Sequence, residues 1–265
     1  MSEFRLDGKK ALVTGGSGGI GKAVALAMAE AGADIAIIDL KRDEGLQVVD
    51  EIKKLGRDAV YYDCDLAVHA SISETIKAIA EYFGQIDIAF NNAGIGRPGG
   101  IPTLDDQAIQ VWDDIMAINL TSVFHCCREE GKYMTPRKRG KIINTASMSA
   151  TVVNHFPEGH FGISTIAYCT AKAGVRQFTK ALAIEWAKYN IQVNCISPGY
   201  TITPFTAKLS EEKFKHVLEM QIQTIPLGRR ADAEEMTGGV LFLASDASSY
   251  VTGHDLVMDG GYSVW

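Results

Sequence analysis

Cysteine is scarce and scattered in this chain. The five residues, Cys64, Cys126, Cys127, Cys169 and Cys195, are odd in number, have no Cys-x-x-Cys spacing and accompany no histidine cluster, so neither a disulfide framework nor a structural zinc site is expected. Proline is equally sparse, at seven residues, and no Pro- or Ser-rich linker, repeat or low-complexity tract divides the chain. One domain is expected. No run of about 18 apolar residues exists to cross a membrane as a helix. Met1 to Lys10 carries Glu3, Arg5, Asp7, Lys9 and Lys10 where a signal peptide would be apolar, which points to a cytoplasmic protein. A basic excess is missing too: the formal charge of −6 argues against broad binding to nucleic acid or anionic membranes.

What remains is ordinary globular usage, 46% hydrophobic and 22% charged. Short β-branched runs at 10–14, 33–39, 58–64, 86–90, 140–145, 191–196 and 255–258 alternate with helical patterns near 19–31, 43–55, 69–83, 107–133, 166–188, 210–222 and 232–244. Runs such as Ala11-Leu12-Val13 and Ile35-Ala36-Ile37-Ile38 are apolar throughout, as strands buried on both faces must be. The alternation predicts an α/β, Rossmann-like doubly wound fold with a seven-stranded parallel sheet flanked by helices on both faces. Glycine- and proline-rich 95–104 and the stretch 150–165 read as functional loops, and 200–225 as a substrate lid, because ligands bind beyond the carboxyl ends of parallel strands.

The segment Thr14-Gly15-Gly16-Ser17-Gly18-Gly19-Ile20-Gly21 stands between the first strand and the first helix. Its Gly15, Gly19 and Gly21 permit close approach of a pyrophosphate to amides at a helix amino terminus, the geometry of a dinucleotide site. A structural turn is the competing reading. Asp39, eighteen residues beyond Gly21 at the end of Ala-Ile-Ile-Asp, is placed to accept both ribose hydroxyls and repel a 2′-phosphate, which favours NAD(H) over NADP(H). A capping role for Asp39 is the alternative, and Lys41 and Arg42 could reach a phosphate, so NADP(H) stays open. Asp65, in Asp63-Cys64-Asp65-Leu66, could take the adenine amino group or simply cap a helix.

Tyr168 and Lys172 are four residues apart in a predicted helix, so they share a face. Lowering a phenol by about three pKa units costs about 4 kcal/mol; one cation about 4 Å away at an effective dielectric of ~20 supplies roughly that, and burial of the phenol opposes it. With Asn91-Asn92-Ala93-Gly94, Asn119, Ser147, Asn194, Pro198-Gly199 and Asp259-Gly260-Gly261 in order along the chain, the sequence resembles the short-chain dehydrogenases/reductases from end to end. The resemblance implies a hydride transfer between a nicotinamide cofactor and a secondary alcohol or ketone. Tyr168 would be the acid/base, Lys172 would lower its pKa and hold the nicotinamide ribose, Ser147 would bind the substrate oxygen, and Asn119 would hold a proton-relaying water. Cofactor contacts would come from Gly15, Ser17, Gly19, Ile20, Gly21, Asp39, Asp65, Leu66, Asn92, Ala93, Gly94, Tyr168, Lys172, Pro198, Gly199 and Thr203. A homotetramer is implied by the same analogy, and no metal.

Ser149 competes with Ser147, being two residues on. The 21 residues from Ser147 to Tyr168 exceed the usual family gap, so an insertion around His155 and His160 is expected to border the substrate. Ser147, Ser149, His155 and Tyr168 are therefore the candidate substrate contacts. Ser147-Met148-Ser149-Ala150 followed by Val152-Val153-Asn154 resembles the polyol dehydrogenase and ketose reductase branch, implying a sugar alcohol and its ketose. Keto-acid, diol and 3-oxoacyl substrates are runners-up. A dinucleotide-binding regulator without turnover is the alternative of a different class.

Overall fold

The structure is a computed structural model; it describes residues 2–96, 101–154, 162–204, 206 and 215–264. Seven strands form one sheet: β1 (Lys10–Thr14), β2 (Asp34–Asp39), β3 (Ala59–Asp63), β4 (Ile88–Asn91), β5 (Gly140–Thr145), β6 (Ile191–Pro198) and β9 (Asp255–Met258). All pairings are parallel, in the order β3-β2-β1-β4-β5-β6-β9. The helices are α1 (Gly19–Glu30), α2 (Arg42–Lys54), α3 (His69–Phe83), α4 (Ala108–Met116), α5 (Ser122–Met134), α6 (Ile163–Trp186), α7 (Lys215–Thr224) and α8 (Thr237–Ala244). The predicted doubly wound α/β fold is the one observed.

Period-2 alternation along the strands builds two cores. Leu12, Ala36, Ile38, Ala89, Ile142 and Val193 face one side and join a cluster with Ile72, Ile76, Cys126 and Trp186 from α3, α5 and α6. Ala11, Val13, Ile35, Ile37, Phe90 and Ile143 face the other and pack with Val24, Met28, Val48 and Val240 from α1, α2 and α8. Each fully buried side chain of this size contributes about 1.5–3 kcal/mol, so neither face tolerates a register slip. A smaller cluster of Val111, Ile115, Ala167 and Ala171 clamps α4 to α6.

Two features differ from the sequence expectation. The single helix expected over 107–133 is broken by a π-helical turn, Ala117–Thr121, between α4 and α5. A second, two-stranded sheet pairs β7 (Thr201–Ile202) with β8 (Ala231–Asp232), too short a pattern for hydrophobic periodicity to reveal. The strand order reverses at β1, which has β2 on one side and β4 on the other. Its last residue, Thr14, is in register with Asn91, and the crevice of such a fold opens at that switch point.

Candidate active site

At the switch point the β1–α1 turn and the β4 end are joined by hydrogen bonds. Thr14 Oγ1 accepts from the amides of Asn92 (2.9 Å) and Ala93 (3.0 Å), and Asn92 Nδ2 donates to the Thr14 and Gly15 carbonyls. Gly15 has φ +65°, and a Cβ there would lie 2.9 Å from Ala93 Cα; one on Gly21 would lie 2.1 Å from the Gly15 oxygen. The cradle is therefore shaped by the absence of side chains. Helix α1 begins at Gly18 without any side-chain cap, so its first amides keep the capacity to bind an anion.

Asp39 closes the turn from behind. Its carboxylate accepts from the amides of Ser17 (3.1 Å), Leu40 (2.8 Å) and Lys41 (3.2 Å), so it ties the strand-end turn together and leaves α2 without a side-chain cap. With roughly four acceptor sites on a carboxylate, about one is left for a ligand. Ser17, expected among the cofactor contacts, donates its hydroxyl to the Lys41 carbonyl at 3.2 Å and keeps acceptor capacity. Asp65 accepts from Ala67 N at 2.9 Å in the turn before α3, whose N-terminus has no side-chain cap. The Leu66 side chain is buried in the core.

Ser147 follows β5 and caps a 3₁₀ turn, Met148–Ala150, its Oγ accepting from Ser149 N at 3.1 Å. Tyr168 and Lys172 project from α6, with Lys172 Nζ 5.7 Å from the centroid of the Tyr168 ring. Lys172 is buried and donates to the Thr145 carbonyl at 2.6 Å, which turns its ammonium toward β5. Burial dominates the electrostatics of both groups. Burial pushes the Tyr168 phenol up to about 12, against the downward pull of its hydrogen bond with Ser147. Burial also brings Lys172 down to about 8. For the phenol, desolvation thus outweighs the hydrogen bond from Ser147.

Asn119 sits in the π-turn, fully buried, with Oδ1 accepting from Ile95 N (2.8 Å) and Nδ2 donating to Ile95 O (2.7 Å). Each end of its amide is engaged once by the Ile95 peptide, which leaves one further acceptor and one further donor site on the side chain. A Cβ on Gly94 would stand 3.0 Å from Asn119 Oδ1 and 3.7 Å from Lys172 Nζ, which brings Gly94, Asn119 and Lys172 to one point.

Ser149 turns elsewhere. Its hydroxyl donates to Asn154 Oδ1 at 2.6 Å, Asn154 Nδ2 donates to the Tyr200 hydroxyl at 3.1 Å, and Tyr200 meets Tyr262 edge-on at 5.5 Å. Ser147 is thus the serine hydrogen-bonded to Tyr168. Thr203 lies over the glycine turn: a Cβ on Gly19 would be 3.2 Å from its Cβ, and one on Gly18 would be 3.8 Å from Pro204. Pro198 ends β6, and Gly199 packs so closely that a Cβ would be 2.6 Å from Asp259 Cα. Asn194 is structural, its amide spanning Val251 O and His254 N.

His155 and His160 lie outside the described residues, as do Phe205 and 207–214 of the expected lid. A cleft of about 290 Å³ is lined by Tyr200, Ile225, Leu227 and Val257–Gly261 among others, and not by Tyr168. Sequence reasoning did not single out Thr14, Asn154, Tyr200 or Pro204 as functional. It also missed Glu130, although a glutamate on the buried stripe Val123, Cys126, Cys127, Met134 was a readable sign.

A family model described as enoyl-(acyl carrier protein) reductase matches residues 15–263. D-threitol dehydrogenase of Mycolicibacterium smegmatis is 40% identical over 99% of this chain and 95% of its own. 2-Dehydro-3-deoxy-D-gluconate 5-dehydrogenase of Pseudoalteromonas atlantica is 40% identical over 99% and 98%. A crystal structure of a short-chain type dehydrogenase/reductase from Mycobacterium marinum superposes with a TM-score of 0.89, at 40% identity over 99% of this chain and 98% of that one. No helix among the described residues is long and apolar enough to cross a membrane. The chain belongs to the short-chain dehydrogenase/reductase family and is an NAD(P)-dependent oxidoreductase acting on a CH–OH group.

Proposed function

We propose that the enzyme interconverts a sugar alcohol and its ketose, with NAD(H) as the preferred cofactor. The observation that carries the substrate reading is the chain of hydroxyl and amide groups Ser149–Asn154–Tyr200 beside the Ser147–Tyr168 pair. These groups bond one another, and each keeps further donor or acceptor capacity that a substrate carrying several hydroxyls can use. The names of the two relatives, a threitol and a deoxygluconate dehydrogenase, agree with it.

In the reduction direction the buried Tyr168 phenol gives its proton to the ketone oxygen, which Ser147 holds; in oxidation it takes the alcohol proton. Lys172 holds the nicotinamide ribose. Gly94, Pro198, Gly199 and Thr203 frame the ring, and Asn119 holds a water that relays protons from Lys172 toward solvent. Bound NAD(H) supplies hydride exchange at the ring and, when oxidised, a positive charge. The residues present fit that group: the cradle at Gly15 and Gly21 would be filled by any Cβ, α1 is uncapped, and Asp39 keeps acceptor capacity. Asp39 also repels a 2′-phosphate, whereas exposed Lys41 and Arg42 would attract one. The segments 150–165 and 200–225 act as substrate loop and lid, with a cytoplasmic homotetramer as the working assembly.

The test is a plate of mannitol, sorbitol, xylitol, arabinitol, ribitol, threitol and simple secondary alcohols, followed by NADH and NADPH absorbance. Turnover of polyols with NAD is the expected result. Silence on every polyol, with NADH binding intact, would remove the substrate assignment.

A further inference from the structure

Glu130 is the buried acid that the chemistry above does not use. It has no exposed surface, and its Oε2 accepts from Asn91 Nδ2 at 3.2 Å. The same Asn91 Nδ2 donates to Asn144 Oδ1 at 3.1 Å and contacts Cys127 Sγ at 3.4 Å, while Asn144 Nδ2 donates to Thr179 Oγ1 at 3.0 Å. Four elements meet in this node, and each one carries part of the site. Asn91 immediately precedes Asn92–Gly94, Asn144 lies three residues before Ser147, and Thr179 stands two turns beyond Lys172 on α6. Glu130 belongs to α5, which continues the π-turn of Asn119.

The node is incomplete with an ionised carboxylate. Glu130 Oε1 and Asn91 Oδ1 are both buried without a partner, and two such acceptors in one apolar pocket are costly. A proton on the carboxyl supplies the donor that Asn91 Oδ1 lacks, between side chains already in contact. Among the described residues no cation offsets a charge there. The titratable groups facing Glu130 are the Cys126 and Cys127 thiols, both pushed up by burial and then by Glu130 itself. Neighbouring Glu129 turns away to Arg128, Lys132 and Ser73.

We propose that Glu130 is a positioning residue for hydride transfer: as a neutral acid it completes the hydrogen-bonded node that holds Asn92–Gly94, Ser147 and the Tyr168–Lys172 face in one register. Its burial, which pushes the carboxyl up to about 8, agrees with that geometry. An unfolded glutamate titrates near ~4.3. The stability that the neutral form contributes is therefore fully present below that value and lost as pH rises through about 8.

The experiment compares wild type with Glu130→Gln and Glu130→Ala, by thermal melting from acid to alkaline pH and by steady-state turnover of the best alcohol from the panel. Glu130→Gln keeps a neutral head of the same shape. It is expected to melt progressively above wild type as pH rises through about 8, and to lose an alkaline fall in kcat that wild type shows. Glu130→Ala should lower kcat by roughly tenfold or more, the scale of a small misplacement of reacting groups, with KM for NAD changed less than about twofold. If the melting and kcat profiles of Glu130→Gln superimpose on wild type, Glu130 does not titrate in the node and the proposal fails. It fails too if Glu130→Gln is as impaired as Glu130→Ala at neutral pH, because an anion would then be required. A folded Glu130→Ala with wild-type kcat would reduce the residue to packing. Should Glu130→Ala not fold, the Glu130→Gln profiles decide alone, and melting needs no substrate.

Discussion

Gly21→Ala is the substitution whose outcome the geometry constrains most tightly. The added methyl would lie 2.1 Å from the Gly15 carbonyl oxygen, 2.7 Å from Asn92 Nδ2 and 2.8 Å from the Gly15 carbonyl carbon, where ordinary contact begins at 3.4 Å. Two of these atoms are backbone, and Gly15 itself is pinned by its amide on Ile38 O at 2.8 Å and by Ala93 behind it. Relief requires the turn to move by about 1 Å, opening the Thr14–Asn92 bonds. Overpacking of this kind costs about 1–3 kcal/mol. The same movement pulls the first α1 amides off the phosphate position, and at ~1.4 kcal/mol per tenfold NADH affinity should fall by roughly tenfold or more. Fluorescence titration of NADH with a parallel thermal melt reads both effects. Gly238→Ala, with nothing within 4 Å of the new methyl, is the control and should stabilise α8 by about 0.5–1 kcal/mol. Unchanged NADH affinity and melting in Gly21→Ala would refute the claim that the turn is a rigid cradle.

Tyr168→Phe should keep NADH binding within about twofold and abolish turnover, since only the proton donor is removed; residual activity comparable with wild type would sink the assigned acid/base. Asp39→Ala should narrow the ratio of NAD to NADP efficiency by about tenfold, the worth of one charge-assisted hydrogen bond. It should also loosen the turn, because Ser17 N, Leu40 N and Lys41 N lose their acceptor, and an unaltered ratio would contradict the ribose role. Asn154→Val breaks the chain from Ser149 to Tyr200. It should raise KM for polyols by about tenfold and leave a simple secondary alcohol unaffected, so an equal rise for both would point to a general loss of shape.

The sequence by itself determined the sheet. Runs such as Lys10–Thr14, Gly140–Thr145 and Asp255–Met258 are strands at the predicted bounds, because apolar alternation and flanking glycines are local signals that any assembled sheet must satisfy. It also determined that Tyr168 and Lys172 share a helix face and that a glycine turn opens α1, both consequences of spacing. What the tertiary structure alone decided is where each polar group found its partner. Lys172 turned to the carbonyl of Thr145, Asp39 to three amides, Asn119 to the Ile95 peptide, and Ser147 rather than Ser149 to Tyr168. The Glu130 node joins residues from β4, α5, β5 and α6. Such bonds link positions tens of residues apart, with energies that depend on burial no local window contains. Desolvation is likewise a property of the assembled core, which is why the extent to which burial raises the phenol of Tyr168 is set there and not by its neighbours in sequence.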